Sequence, residues 1–130
     1  MGLADKAGPF VVLETFVLTD LVTLKMRSDF LQAARARRQG TKSFHLQARA
    51  RGDENACIRI GFTCSKKLGN AVARNHAKRR LREAARLILP THAQPGWDYV
   101  LIGRHKATAE RDFGDLKSDL KWALKKVQCS

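Results

Sequence analysis

The sequence predicts a single α+β domain, and three observations carry that prediction. The chain has 130 residues, the length of one domain, and 44% of them are hydrophobic, which is enough for a core. Short segments alternate apolar and polar side chains, as half-buried strands do. Longer segments repeat their apolar residues at helical spacing. Strands and helices mixed in so short a chain favour a sheet with helices packed on one face.

The first half of the chain predicts one helix followed by two strands. The helix covers residues 29–38, with Ser28 as the expected N-cap and Gly40 as the expected stop. Strands are predicted over residues 43–49 and 57–64, with a turn between them. A further short strand between these two elements is compatible with the pattern, which does not resolve it. The inward side chains of the two strands are expected to be Phe44, Leu46, Ala48, Ile58, Ile60, Phe62 and Cys64.

The second half predicts a long helix, a strand and a final helix. The long helix covers residues 71–89 and is expected to stop before Pro90, since proline lacks the N–H that a helix needs. A Pro-Gly turn then precedes an apolar strand over residues 99–103. Apolar residues recur at helical spacing over residues 113–127 and predict a C-terminal amphipathic helix. The sequence contains no internal repeat and no linker.

The charge of the chain favours a polyanionic partner. Twenty-five Lys and Arg against twelve Asp and Glu leave a net charge of +13, which repels itself in a compact protein. Nucleic acid is the commonest partner for such a surplus, and an acidic membrane surface is the second candidate. Residues 56–86 carry nine basic side chains and one acidic one, a net charge of +8. Solubility alone does not require such a concentration of charge, whereas an electrostatic footprint for a polyanion does.

The predicted helix over residues 71–89 has a basic face opposite its apolar face. At about 100° per residue, six polar residues fall within an arc of about 140°. We call this set the basic stripe: Arg74, Asn75, Lys78, Arg79, Arg82 and Arg86. Ala73, Ala77, Leu81, Ala84 and Ile88 lie on the opposite arc, and Arg80 and His76 lie outside the stripe. Glu83 is the only acid in this helix, so like charges four residues apart destabilise it unless phosphates supply the counter-charge.

Residues next to the stripe add to the predicted anion site. Lys66 and Lys67 lie at the end of the preceding strand, and the tight turn at Gly69 and Asn70 brings backbone N–H groups to the helix N-terminus. The amide of Asn75 can donate and accept, which suits base edges or a 2′-hydroxyl, although Asn is also tolerated in a first helical turn. The spacing of a P-loop is absent.

Several function classes are not expected. No apolar run approaches the roughly 18–20 uncharged residues of a membrane helix, and no secretory signal is expected because acidic residues interrupt the apolar N-terminal stretch. Three scattered cysteines indicate a reducing compartment, and neither they nor the four histidines have metal-ligand spacing. No paired carboxylates, histidine–acid pair or activated nucleophile point to protein-based catalysis.

Residues 60–83 resemble the signature of the bacterial ribonuclease P protein subunit. That family's pattern is roughly S-K-K-x-G-N-A-V-x-R-N-x-x-K-R-x-x-R-E, and every fixed position is present here. Looser similarity extends from about Leu24 to Val127. The resemblance implies an N-terminal extension over residues 1–20 and a ribonuclease P protein domain over residues 21–130.

The same resemblance implies the fold. It has the order α-β-β-β-α-β-α and is similar to the second domain of a ribosomal small-subunit protein. The crossover between the parallel strands that flank the Arg-Asn helix is implied to be left-handed, whereas general rules predict a right-handed one.

The resemblance also implies the function, that of a cytoplasmic accessory subunit of an endoribonuclease. Such a subunit binds the catalytic RNA of ribonuclease P and the 5′ leader of precursor tRNA, and assists removal of the leader to form the mature 5′ end. The chemistry is implied to reside in Mg²⁺ ions held by the RNA, with no catalytic residue and no metal site in the protein. No membrane and no small-molecule substrate are expected.

The implied site residues fall into two groups. Those expected to contact the catalytic RNA are Lys66, Lys67, Asn70, Arg74, Asn75, Lys78, Arg79, Arg82 and Arg86. Those expected to bind the leader are Phe30, His45, Gln47 and Arg59, with a plain core role as the alternative for Phe30. Many family members carry aromatics where this chain has Ala34 and Gln47, so weaker base stacking and stronger electrostatics are expected here.

Two other function classes remain open at this point. One is a ribosomal or RNA-chaperone component with no catalytic association, and the other is a nuclease that acts without RNA. A cleavage assay on precursor tRNA with magnesium, with and without the catalytic RNA, separates all three.

Overall fold

The computed structural model describes residues 21–52, 56–64, 69–104 and 106–128. Nine helices and strands lie within these ranges. The strands are β1 (Leu21–Thr23), β2 (Arg37–Gly40), β3 (Phe44–Ala50), β4 (Ile58–Thr63) and β5 (Trp97–Gly103). The helices are α1 (Arg27–Ala34), α2 (Ala71–His92), α3 (Ala107–Glu110) and α4 (Phe113–Gln128).

The five strands form one mixed sheet in the order β1-β4-β5-β3-β2. The pairs β1–β4 and β4–β5 are parallel, whereas β3 pairs antiparallel with both β5 and β2. Helix α2 connects the parallel neighbours β4 and β5, as a parallel pair requires. The predicted order α-β-β-β-α-β-α is confirmed from α1 to α4, with β1 and the short α3 as additions.

The main core lies between one face of the sheet and the two long helices α2 and α4. From the sheet it contains the predicted inward residues of β3, all fully buried, together with Ile58 and Ile60 of β4. Phe62 and Cys64 were predicted inside but are only half-buried at the end of β4. The helices contribute Leu81, Ala84, Ile88, Leu116, Leu120 and Leu124.

A second, smaller cluster lies on the opposite face of the sheet, under α1. Leu24, Ala33 and Val100 are buried there, and Phe30 and Ile102 pack against them. The prediction that helices pack on one face only is therefore wrong. The reason is that β5 carries apolar side chains on both faces, as a central strand does, so both faces need a cover.

The first helix is shorter than predicted and the chain then enters the sheet. Helix α1 ends at Ala34, and its N-cap is Met26 rather than Ser28, with no side-chain hydrogen bond. Residues 37–40, predicted as helix end and stop, form β2 and pair with β3. Residues 37–40 are polar and do not alternate, so their own sequence does not predict a strand. They form one because β3 supplies the partner for their backbone hydrogen bonds.

Helix α2 is longer than predicted, since it passes through Pro90 and ends at His92. Proline removes one helical N–H, but the last turn is retained by the hydrogen bond from Ala93 N–H to the Leu89 carbonyl at 2.9 Å. Ile88 and Leu89 are buried immediately before it, so packing holds this turn in place.

A buried carboxylate connects three strands and one helix. Asp98 of β5 is fully buried and accepts hydrogen bonds at 2.7 Å from Arg51 and, on both carboxylate oxygens, from Arg59. Arg49 lies 3.5 Å from the same carboxylate, and Arg59 also reaches Asp29 of α1 at 3.4 Å. We call these five residues the Asp98 network. Burial raises the pKa of Asp98, but the hydrogen bonds from the two closer arginines outweigh it and lower the pKa below its ordinary value.

Replacement of Asp98 by Asn is expected to lower the free energy of unfolding by about 3–5 kcal/mol, because Arg51, only 4% exposed, and Arg59 each lose the charged hydrogen-bond acceptor that Asp98 provides. Urea unfolding at pH 7 measures this loss.

The contribution of Asp98 to stability is expected to depend on pH. Because the pKa of Asp98 is lower in the folded protein than in the unfolded chain, the carboxylate stabilises the fold above the pKa that it has in the unfolded chain, and this stabilisation decreases as pH falls below about 4. Asp115→Asn, at an exposed position, should cost less than about 1 kcal/mol. A difference between wild type and D98N that is as large at pH 3 as at pH 7 would contradict this assignment.

Gly61 is expected to tolerate no side chain, because Phe30 packs on its Cα. A Cβ at this position would lie 2.5 Å from Cε1 and 2.7 Å from Cζ of the Phe30 ring. Gly61→Ala should therefore destabilise the protein by about 1–3 kcal/mol, as overpacking does. The control is the same substitution with Phe30→Leu: the two changes should couple by at least about 0.5 kcal/mol in a double-mutant cycle. Strict additivity would show that the ring does not pack there.

Candidate nucleic-acid interface

The N-terminus of α2 is built by its two preceding residues. The side-chain oxygen of Asn70 accepts a hydrogen bond from the Ala73 N–H at 2.9 Å, so Asn70 caps the helix. Gly69 has φ of +130°, a conformation that favours glycine, and a Cβ there would also lie 3.2 Å from Ala73 Cβ. Asn70, predicted as an RNA-binding residue, thus also has a structural role as the N-cap of α2.

The basic stripe faces solvent, as the helical wheel predicts. Asn75, Arg79, Arg82 and Arg86 are exposed, and Arg74 and Lys78 are half-buried. The opposite arc is held against the rest of the protein, with Ala77, Leu81, Ala84, Ala85, Ile88 and Leu89 buried. The division of α2 into an apolar and a cationic face is confirmed, while contact of the cationic face with RNA stays a prediction.

Few groups of the protein itself neutralise the stripe. Arg86 forms an ion pair with Glu83 one turn away, in which each side chain is 47% exposed, and this hydrogen bond lowers the pKa of Glu83. Such an exposed pair contributes little stability, so a phosphate can displace it. The guanidinium of Arg82 lies 5.6 Å from the centre of the Phe62 ring. Among the described ranges of the chain, no carboxylate pairs with Arg74, Lys78 or Arg79.

Arg80 differs from the stripe residues in its contacts. Its Nη2 donates to the Arg111 carbonyl, its guanidinium lies 5.8 Å from the centre of the Phe113 ring, and its Nε is buried without a hydrogen-bond partner. Arg80 therefore connects α2 to the start of α4, and its position outside the stripe is confirmed.

The end of β4 lies beside the first turns of α2. Burial raises the pKa of the Cys64 thiol, and the nearby charges of Lys78 and Arg74 oppose that rise. The thiol is therefore uncharged at neutral pH. Lys66 and Lys67, predicted to bind RNA next to the stripe, lie outside the described residues, as does the predicted extension over residues 1–20.

The residues predicted to bind the leader lie on the sheet face that α1 partly covers. His45 pairs with Ile102 across the sheet and is exposed, and Gln47 pairs with Val100 and is half-buried. Phe30 is half-buried, with its ring over Gly61 of β4. It packs against the smaller core cluster while part of its surface remains open. Nothing in the sequence pattern singled out Gly61, although a glycine inside a strand is a signal of close approach.

Arg59 lies on the same face but its guanidinium is already engaged. Hydrogen bonds to Asp98 and the charge of Asp29 raise its pKa above the ordinary value for arginine, and its side chain is 26% exposed. Its leader-binding role stays a prediction, and the structure adds a structural one. Sequence reasoning missed this pairing because Arg59 and Asp98 are 39 residues apart in the chain.

The described ranges hold neither a cluster of metal ligands nor a helix able to span a membrane. They contain no group of three or more His, Cys, Asp or Glu that could hold a metal ion. None of their helices combines the length and the apolar character needed to cross a membrane.

Comparison with known proteins places these features in a family. A sequence profile described as Ribonuclease P matches residues 18–128. The chain is 66% identical over 105 residues to the ribonuclease P protein component of Ruegeria pomeroyi, covering 80% of this chain and 84% of that protein. It is 50% identical over 101 residues to the component of Caulobacter vibrioides, covering 78% and 67%.

Solved structures agree with the sequence comparison. The RNase P protein from Thermotoga maritima superimposes with a TM-score of 0.67 at 28% identity, over 81% of this chain and 96% of that one. The RNase P protein of Staphylococcus aureus superimposes with a TM-score of 0.66 at 27% identity, over 80% and 93%. With the signature of α2, the sheet order and these matches in agreement, the chain belongs to the ribonuclease P protein family, the protein component of an endoribonuclease that processes the 5′ ends of tRNA.

Proposed function

We propose that the basic stripe of α2 binds the catalytic RNA of ribonuclease P, and that the sheet face beside α1 receives the 5′ leader of precursor tRNA. The observation that carries the proposal is the exposed cationic face of α2. Within the described part of the chain, only Arg86 of this face has a carboxylate partner. Cations four residues apart on a helix repel one another, and binding of a polyanion removes that repulsion.

In this proposal the stripe neutralises phosphates and positions the RNA, and the RNA carries out the cleavage reaction. Lys and Arg that contact phosphates release counterions, which makes binding strong at low salt and weaker as salt rises. The proposal places the Mg²⁺ ions on RNA phosphates, where two metals would activate water and stabilise the leaving oxygen. The protein neutralises neighbouring phosphates, so fewer free magnesium ions are needed for the same fold of the RNA.

The leader face combines one aromatic side chain with polar neighbours. The exposed part of the Phe30 ring offers a stacking surface, and stacking tolerates any base, as a leader of variable sequence requires. His45 and Gln47 supply hydrogen-bonding groups on the neighbouring strand β3. Ala34 lies one turn after Phe30 on α1 and offers no second ring, so the proposal gives electrostatics a larger share of leader binding here.

Replacement of Arg79 or Arg82 by Ala is expected to weaken binding of the catalytic RNA and to flatten the slope of log affinity against log salt by about 0.7–0.9 per lost phosphate contact. Filter binding or fluorescence anisotropy at several salt concentrations measures both effects. The matched control is Arg80→Ala on the same helix, which should change RNA affinity less while lowering thermal stability through its lost contacts with α4. Equal losses of affinity from all three substitutions would contradict the assignment of the stripe.

Cleavage of precursor tRNA is expected to require the catalytic RNA and to be stimulated by this protein, most strongly at low magnesium, because the stripe neutralises part of the phosphate charge. The assay combines protein, RNA and magnesium and follows release of the leader, with each component omitted in turn. Cleavage by the protein alone would indicate a nuclease instead. Absence of any stimulation of the RNA would indicate an RNA-binding protein without catalytic association.

A further inference from the structure

An exposed tryptophan on α4 is not used by the proposed function. Trp122 is 46% exposed, although its helix buries Leu116, Leu120 and Ala123 on the opposite side. A tryptophan gains much from burial, and exposed tryptophans are enriched where an apolar ring meets a partner. The ammonium of Lys126 lies 5.8 Å from the centre of the ring, so the ring already interacts with a cation.

The indole forms a shared wall of two open concavities. One, of about 510 Å³, lies between α4 and the β2–β3 turn and is lined by Lys42 and Arg104 among others. The other, of about 600 Å³, lies between α4 and the end of α2 and is lined by Lys121 and Lys125 among others. We call Trp122 and its surrounding cations the Trp122 surface: Trp122, Lys42, Arg104, Lys121, Lys125 and Lys126.

The cations of this surface are not balanced by the acid that lies among them. Asp119, the one acid among the described residues that line the first concavity, forms an ion pair with Arg111 at 3.0 Å and accepts a hydrogen bond from Ser43. Arg104 donates to the Thr41 carbonyl at 2.6 Å, which holds its guanidinium at the rim.

Helix stability explains only part of this arrangement. Lys125 and Lys126 lie in the last turn of α4, where positive charges stabilise a helix by interacting with its C-terminal carbonyl groups. That effect does not account for Lys42 and Arg104, which lie on other elements, nor for the exposed indole between the two sets.

We propose that the Trp122 surface binds an unpaired segment of RNA, one base of which stacks on the indole while flanking phosphates contact the cations on either side. An aromatic face with cations at both edges is the arrangement by which proteins hold single-stranded nucleic acid. Charge complementarity favours a polyanion, and the flat ring between the cations favours one that carries bases.

The surface is separate from the basic stripe. Arg80 of α2 contacts Arg111 and Phe113 at the start of α4, whereas Arg82 of the stripe contacts Phe62 of β4. On a helix of 3.6 residues per turn, Arg80 and the middle of the stripe point in nearly opposite directions. The start of α4 and the stripe therefore lie on opposite sides of α2, and none of the described residues that line the two concavities belongs to the stripe, so an RNA segment on one surface does not occupy the other.

Tryptophan fluorescence of the full chain tests the proposal without the catalytic RNA and without cleavage, so its outcome is independent of the proposed function. Trp97→Phe removes the only other tryptophan and keeps a ring stacked on Tyr99. Titration of this variant with a uridine hexanucleotide at low salt is expected to quench Trp122 saturably. Adding Arg79→Ala and Arg82→Ala should leave that quenching curve unchanged.

A fluorescently labelled hexanucleotide measures affinity in the Arg79→Ala, Arg82→Ala background with Phe30→Leu added, which also removes the stacking ring of the proposed leader face. Trp122→Ala is expected to weaken binding by roughly 5- to 150-fold, the factor that corresponds to one lost base stack. Lys121→Ala with Lys125→Ala should flatten the salt slope by about 0.7 for each lost phosphate contact. The matched control is Lys25→Ala, an exposed cation between β1 and α1 that does not belong to the Trp122 surface, which should change neither quantity.

Three results would overturn the proposal. These are absence of quenching, an affinity of W122A equal to that of K25A, and equal quenching by a hexaglutamate peptide or by polyphosphate. The peptide result would indicate an acidic protein partner, and the polyphosphate result an anion site without base stacking.

Discussion

The buried carboxylate of Asp98 is the constraint on which the arrangement of the sheet depends. A charge removed from water is tolerated only when ion pairs and hydrogen bonds replace its hydration. Here the replacement comes from the end of β3, from β4 and, through Arg59, from α1, so these elements take the positions that bring their arginines to one point. Arg51 adds hydrogen bonds to the Trp97 and Cys57 carbonyls, which join the starts of β5 and β4. The network therefore joins β3, β4 and β5 at one place in the sheet and connects α1 to β4.

The cations of the described ranges fall into two classes, those held by groups of the protein and those exposed without a carboxylate partner. Arg51, Arg59 and Arg111 have carboxylate partners inside the protein, and Arg80 is held by a carbonyl and a ring. The first three charges are paired with carboxylates, and the guanidinium of Arg80 is held in place by uncharged groups. The cations of the basic stripe and of the Trp122 surface mostly lack such partners within the described ranges. Net charge counts both classes alike, but only the second class is available for the RNA contacts that we propose.

Helix α2 combines structural and functional demands through its two faces. Its apolar face is buried against the sheet and α4, and that burial offsets the repulsion among cations on the other face. The helix can therefore present guanidinium groups that would destabilise it in isolation. Helix α1 covers part of the other face of the sheet. Its Phe30 packs on Gly61, and the exposed part of the ring remains available for the proposed leader contact.

The sequence by itself determined the features that depend on neighbours a few residues apart. Alternation predicted β3 with its three buried residues, and helical spacing predicted α2, α4 and the outward direction of the basic stripe, because side-chain direction follows directly from local periodicity. A motif of many fixed positions along one segment was sufficient to indicate the family.

Only the tertiary structure decided the features whose partners are distant in the chain. Residues 37–40 form a strand because β3 supplies the hydrogen bonds, and Pro90 stays helical because packing holds the turn that surrounds it. The pairing of Asp98 with Arg51 and Arg59 joins residues 47 and 39 positions apart, and the second cover on the sheet comes from a helix far from β5 in sequence. Periodicity describes which way a side chain points, whereas the identity of the group it meets is determined when distant segments pack together.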